Sequence, residues 1–142
     1  MKPMYVFLFT AAIGNFAYHL GQKTLPQTTN PMAILMIVYA LAFVLSGLML
    51  PYFSSEQDAA WQPLIFNWRV WLVALGVLLI EVGFLLAYRG GGSVQWSGVA
   101  VNGIAAVLLI PVAVLLFKEP LSIERIAGIV VTLFGLYLLV KD

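Results

Sequence analysis

The sequence predicts an all-α membrane protein with five transmembrane helices. Of its 142 residues, 63% are hydrophobic and 9% are charged, whereas charged residues make up roughly 25% of a typical soluble domain. The mean hydropathy is +1.02. The apolar runs are long and continuous, while a membrane β-barrel would show alternating segments of about ten residues. A bundle of membrane-spanning helices is therefore expected.

Five apolar runs approach the ~20 residues that cross a ~30 Å hydrocarbon core. Numbered as spans one to five, they cover residues 4–22, 32–53, 70–88, 94–117 and 123–140. Polar or turn-forming segments connect them, including "KTLPQTTNP" after span one and "RGGGS" after span three. Pro111 is expected to kink span four, and Ser122 is expected to cap span five. Residues 1–142 are thus predicted to form a single transmembrane domain.

The distribution of charge along the chain leaves its orientation open. Five spans would place the termini on opposite sides of the membrane, with four Lys or Arg residues on one side and three on the other. Orientation follows the bias of Lys and Arg in short loops, and this bias is nearly absent here. Either one or two charges near the first spans decide the orientation, or the chain inserts both ways and has a dual topology.

The composition also narrows the classes of function. A net charge of +1 does not suggest a nucleic-acid partner. A chain with no cysteine and one histidine does not suggest a disulfide framework or a metal site. The sequence has no phosphate-binding Gly-Lys loop, no GxSxG elbow and no HExxH motif. We therefore expect no enzyme activity, no catalytic residue and no cofactor.

One acid, Glu81, lies near the middle of span three, within "VLLIEVGFLLAYR". An acid at the centre of a membrane helix costs about 2.5–3.5 kcal/mol on insertion scales. Glu81 is therefore expected to face the bundle interior or a wet cavity. It would serve either as part of a functional site or as a structural hydrogen bond to a neighbouring helix.

Span one carries a polar stripe whose members are spaced at i, i+3, i+4 and i+7: Asn15, Tyr18, His19 and Gln22. This spacing places them on one helix face, which should meet protein or water rather than lipid. The stripe either holds the bundle together or lines a substrate path. If spans one and three run parallel, His19 and Glu81 differ by only ~6 Å in depth. The two are predicted to meet, directly or through a substrate, and to couple transport to protons.

Spans four and five add two further signals. Gln95 and Asn102 share one face of span four, and with Trp96 they would suit a polar or cationic ligand. Trp96 alone is typical of an interfacial anchor. Span five has a stripe of small residues, which predicts a helix-association face within the chain or at a dimer contact: Gly128, Thr132 and Gly135.

The segment "SGVAVNGIAAVLLIPVAVLLFKEPLSIERIAGIVVTLFGLYLLV" resembles the final two helices of an EamA domain of the drug/metabolite transporter superfamily. The matching features are a start rich in small residues, the mid-helix Pro111, the acidic turn at Glu119 and a last helix that ends in "GLYLLV". The segment "FTAAIGNFAYHLGQKTLP" is similar to the family's first helix, which lines the substrate path.

The resemblance implies an assembly as well as a fold. Such transporters usually carry two five-helix repeats of opposite orientation, so a chain with one repeat implies a homodimer in the bacterial cytoplasmic (inner) membrane. The dimer is antiparallel if the chain inserts both ways. Small multidrug resistance proteins, which are four-helix relatives, carry a glutamate in their first helix where this sequence has Ala11 or Ala12. This departure disfavours their mechanism of proton/drug exchange.

The leading hypothesis is a small transporter that moves a small polar or zwitterionic metabolite by alternating access between two copies. Its predicted substrate-binding residues are Asn15, Tyr18, His19, Gln22, Glu81, Gln95, Trp96 and Asn102. The alternatives are a lipid-carrier flippase subunit, a cation/proton multidrug exchanger and a non-transporting accessory membrane subunit. A polar cavity at Glu81 would favour a transporter, and a dry, packed Glu81 would favour an accessory role.

Overall fold

The computed structural model describes residues 3–53 and 62–141. Within these residues the chain is helical and contains no strand, which confirms the all-α fold class. The six helices are α1 (Pro3–Thr24), α2 (Pro31–Phe53), α3 (Gln62–Ile65), α4 (Trp68–Arg89), α5 (Val94–Leu115) and α6 (Ile123–Val140).

The five long helices coincide with the five predicted spans to within two residues at every end. Two N-terminal caps explain where α4 and α6 begin. The Asn67 side chain accepts a hydrogen bond from the backbone N–H of Arg69 at 3.0 Å and begins α4. Ser122 accepts from the backbone N–H of Arg125 at 3.3 Å and begins α6, which confirms the predicted cap. The predicted fourth span ends two residues too late because α5 is capped at Leu116.

Four helices, α2, α4, α5 and α6, are long and apolar enough to cross a membrane. Among the described residues, α1 also has the required length of 22 residues but is not in this group. Its polar stripe, including Asn15, His19 and Gln22, lowers its mean hydropathy. The expectation of five apolar spans is therefore corrected to four, and the chain has the character of a multi-pass membrane protein.

The burial pattern agrees with a lipid environment. Large apolar side chains are exposed along the long helices, with exposed fractions of 78% for Phe43, 66% for Leu108 and 70% for Val131. The buried side chains include polar and charged ones: His19, Gln22, Glu81 and Ser97. Water would favour the reverse arrangement, whereas hydrocarbon solvates the apolar surface and leaves polar groups to find partners inside the protein.

Contacts between residues group the chain into two compact units. The first comprises the residues up to Gly21 and those from Gly91 onward, and the second comprises Gln22–Gly90. In the first unit α5 packs against α6, and in the second α2 packs against α4. The prediction that residues 1–142 form one domain stays a prediction.

The packing of α6 on α5 depends on one glycine. The side chain of Leu136, which is 8% exposed, occupies the space where a Cβ atom at Gly103 would lie. The absence of a side chain at residue 103 thus lets the two helices approach closely, as small residues do in membrane helix pairs. Pro111 lies further along α5, which continues through it without interruption.

We expect Gly103→Ala to lower the free energy of unfolding by about 1–3 kcal/mol, because the added methyl group overlaps the Leu136 side chain. Reversible unfolding in detergent micelles would measure this change. Gly14→Ala is the matched control, since a Cβ atom at Gly14 meets nothing within 4 Å. In a Leu136→Ala background the Gly103→Ala penalty should shrink. An undiminished penalty would show that another contact causes it.

Candidate functional site

Helix α4, which belongs to the second unit, has one buried face. Its buried residues are Glu81, Phe84, Leu85 and Tyr88. They recur at i, i+3, i+4 and i+7, which is the spacing of a single helix face. The rings of Phe84 and Tyr88 stack with centroids 5.9 Å apart. Glu81 is thus the polar start of an otherwise apolar stripe.

Glu81 meets a side chain from another helix. The Nε2 amide of Gln22, near the end of α1, donates a hydrogen bond to Glu81 Oε2 at 2.5 Å. Gln22 is 4% exposed and Glu81 is 9% exposed. The acid therefore faces protein rather than lipid, as predicted from its cost in hydrocarbon. The hydrogen bond offsets part of the cost of removing both groups from water.

Tyr39 on α2 is a further buried polar group of the second unit, and sequence reasoning missed it. Its phenol oxygen is buried and has no hydrogen-bond partner among the described residues. Tyr39 lies four residues after the buried Leu35, so helical spacing from an apolar core position could have indicated it. A phenol can both donate and accept, so Tyr39 retains hydrogen-bonding capacity inside this unit.

Basic residues lie toward the ends of α1 and α4. Lys23 Nζ is 5.6 Å from the centroid of the Tyr88 ring, a cation–π geometry. Arg89 Nη2 donates to the backbone carbonyls of Pro26 at 3.1 Å and Thr29 at 2.5 Å. Arg89 thereby ties the loop between α1 and α2 to the end of α4. The second unit therefore has a buried acid within α4 and cations near the ends of α1 and α4.

His19 packs on α5 within the first unit. It is 8% exposed, and a Cβ atom at Gly98 would lie 2.6 Å from its Nε2 atom. The neighbouring ring of Tyr18 is half-buried and lies edge-on to the imidazole, at 5.1 Å between centroids. His19 and Gln22 are thus buried members of the predicted stripe, whereas Asn15 is exposed. The predicted pairing of His19 with Glu81 stays a prediction.

The remaining predicted residues do not join a buried cluster. Gln95 and Asn102 are exposed on α5, and Trp96 is half-buried. In the predicted dimer face, Gly128 and Thr132 are exposed and Gly135 is half-buried: the structure therefore leaves most of this stripe at the surface. The Thr132 hydroxyl donates to the Gly128 carbonyl at 2.8 Å within α6.

No family model, curated protein or solved structure matches this chain. The resemblance to an EamA domain therefore stays a prediction that rests on the quoted motifs.

The buried polar groups of the second unit include a carboxylate, a primary amide and a phenol. This set can bind a polar or cationic group and can hold a proton on the acid. In the part of the chain that the structure describes, no group of three or more His, Cys, Asp or Glu residues could hold a metal ion. Binding and proton transfer are thus the chemistry that these side chains supply.

We expect Gln22 and Glu81 to be energetically coupled. Gln22→Leu and Glu81→Leu should each destabilise the fold, because each leaves one polar group buried against an apolar side chain. The double variant should be more stable than the sum of the two losses predicts. Hydrogen bonds between membrane helices give coupling energies of about 0.6–1.7 kcal/mol.

The coupling would be measured from the unfolding free energies of the four proteins in detergent. Ser46→Ala combined with Glu81→Leu is the control, because the Ser46 hydroxyl donates to the Ala42 carbonyl of its own helix at 2.8 Å. Strict additivity of Gln22→Leu and Glu81→Leu would contradict the contact.

Proposed function

We propose that this chain is the protomer of a small membrane transporter for a polar or zwitterionic metabolite. The observation that carries the proposal is a set of buried polar groups in the second unit: the hydrogen-bonded pair of Gln22 on α1 and Glu81 on α4, and the phenol oxygen of Tyr39 on α2. A cluster that only joins helices is expected to satisfy its buried polar atoms. Among the described residues, the buried Tyr39 oxygen is unsatisfied, which suits a site that receives a ligand or water.

The charges of the second unit favour a zwitterionic substrate. Glu81 supplies a carboxylate that can accept hydrogen bonds from an ammonium group. Lys23 and Arg89, in the last turns of α1 and α4, supply positive charge that would attract a carboxylate or phosphate. Residue 89 lies about 12 Å along α4 from residue 81, so a small molecule with both charges would interact with the two regions in succession. We propose His19 and Glu81 as the groups that couple movement of such a substrate to protons.

A second copy of the chain is part of this proposal. The exposed amides of Asn15, Gln95 and Asn102 would be costly against acyl chains, so another protein surface or water should cover them. We propose that α1 crosses the membrane as a fifth helix, with its polar residues shielded by contacts such as the one between Gln22 and Glu81. An EamA-type homodimer in a bacterial cytoplasmic membrane would then work by rocking one copy against the other.

One observation favours a second candidate function. The direct contact between Gln22 and Glu81 is also what a purely structural polar pair would make. The chain would then be an accessory subunit that stabilises a larger membrane complex. The two candidates differ in whether the acid is needed for movement of a substrate.

We expect Glu81→Gln to lower transport strongly while preserving the fold, because glutamine retains hydrogen-bonding capacity but not the charge or the titratable proton. Uptake of radiolabelled zwitterionic amino acids would be measured in proteoliposomes with an imposed proton gradient. At least one probe should be accumulated by the native chain and by the control Glu124→Gln, which changes an exposed acid. Loss of one charge-assisted interaction predicts a decrease of about tenfold or more.

Thermal unfolding of Glu81→Gln separates the two candidates. Equal uptake by the native chain and Glu81→Gln would overturn the role of the acid. No uptake of any probe, together with lower stability of Glu81→Gln, would favour the accessory subunit.

We expect the chain to insert in both orientations, because its Lys and Arg residues would divide four to three between the two sides. A C-terminal reporter active in the cytoplasm and one active outside it should both give signal. Two added lysines in the loop after α1 should silence one reporter. A native chain that activates only one reporter would exclude the antiparallel homodimer.

A further inference from the structure

A groove of about 420 Å³ lies between α5 and α6 in the first unit. Helix α5 lines it from Gly103 to Val114, and α6 lines it with small and apolar side chains that include Gly128 and Ile129. At one end is Gly103, against which Leu136 packs. The groove is within the volume range of about 300–1,000 Å³ that holds small ligands.

The length of the groove matches one half of a bilayer. Gly103 and Val114 are eleven residues apart on α5, which corresponds to about 16 Å at 1.5 Å per residue. The hydrocarbon core is ~30 Å thick. If α5 crosses the bilayer and the turn after it lies at the membrane surface, the groove extends to about the middle of the membrane. An acyl chain of one leaflet extends over the same depth of the membrane and runs in the same direction.

The surface end of the groove carries two opposite charges. Glu119 and Arg125 both line it and both are exposed. The turn that holds them is well fixed: Arg125 Nη1 donates to the Pro120 carbonyl at 3.0 Å, and the Glu119 backbone N–H donates to the Ala113 carbonyl at 3.0 Å. A cation and an anion therefore both line the groove near the turn after α5, where it would open at the level of lipid headgroups.

We propose that this groove binds one phospholipid with a phosphoethanolamine headgroup. Its acyl chain lies along α5 and α6, its phosphate on Arg125 and its ammonium on Glu119. Guanidinium groups bind phosphate through paired N–H donors. A primary ammonium has three N–H donors for a carboxylate, whereas a quaternary ammonium has none. A headgroup without an ammonium would bring its phosphate near Glu119 with no compensating contact.

The charge pair also argues against the other occupant, a helix from a second copy of the chain. A packed apolar helix would bring no opposite charges to Glu119 and Arg125. The lipid satisfies the apolar length and both charges at once. This site is separate from the residues of the proposed transport cluster, so the two proposals can fail independently.

Native mass spectrometry of the full chain in detergent tests the proposal. Dioleoyl phosphatidylethanolamine, phosphatidylglycerol and phosphatidylcholine would be titrated in turn. One phosphatidylethanolamine should bind about tenfold more tightly than either other lipid, the effect of one charge-assisted interaction. Arg125→Gln should weaken binding of all three lipids. Glu119→Gln should remove only the preference for ethanolamine.

Two further variants test whether the lipid occupies the groove and whether loss of any exposed arginine weakens binding. Gly128→Leu should fill the groove without a backbone clash, because a Cβ atom at Gly128 meets nothing within 4 Å. It should reduce lipid binding, while Arg69→Gln, an exposed arginine outside the groove, should not. Equal binding of the three lipids by the native chain, or an unchanged preference in Glu119→Gln, would overturn the proposal. Loss of dimers in Gly128→Leu without loss of lipid would assign the groove to a second copy instead.

Discussion

The fold of the second unit depends on one constraint: a polar side chain at membrane depth must find a partner inside the protein. Glu81 meets that constraint through the amide of Gln22. The contact brings the end of α1 to the buried face of α4, whose next buried residues are Phe84, Leu85 and Tyr88. The carboxylate thus sets which face of α4 points inward, because in hydrocarbon the apolar residues alone would not.

The limits of sequence reasoning follow from the same constraint. The helix boundaries were predictable because bilayer thickness sets the length of each apolar run. The inward orientation of Glu81 was predictable from the cost of exposing an acid to lipid. The pairing of Glu81 with Gln22 and the burial of the Tyr39 phenol oxygen were not, because periodicity defines a face but not the helix it meets. Likewise, no pattern in α5 or α6 indicates that Leu136 fills the space at Gly103.

The polar stripe explains why the first helix differs from the others. Its length suits a span, but its polar residues reduce the gain from entering lipid. Such a helix is favourable in a membrane only after its polar face is covered. His19 against Gly98 and Gln22 against Glu81 cover two positions of that face. The polar residues that lower the hydropathy of α1 are therefore also the residues whose contacts determine where this helix packs.

A lipid between α5 and α6 would change which surface is available to a second copy. Gly128 lies in the groove, and the Thr132 hydroxyl is already bonded within its own helix. This small-residue stripe therefore needs no partner to satisfy its polar groups. The exposed amides of Asn15 and Asn102, in α1 and α5, do need one in a bilayer. If two copies associate, the amides at these two positions can donate and accept across a pair of helices, which the stripe cannot.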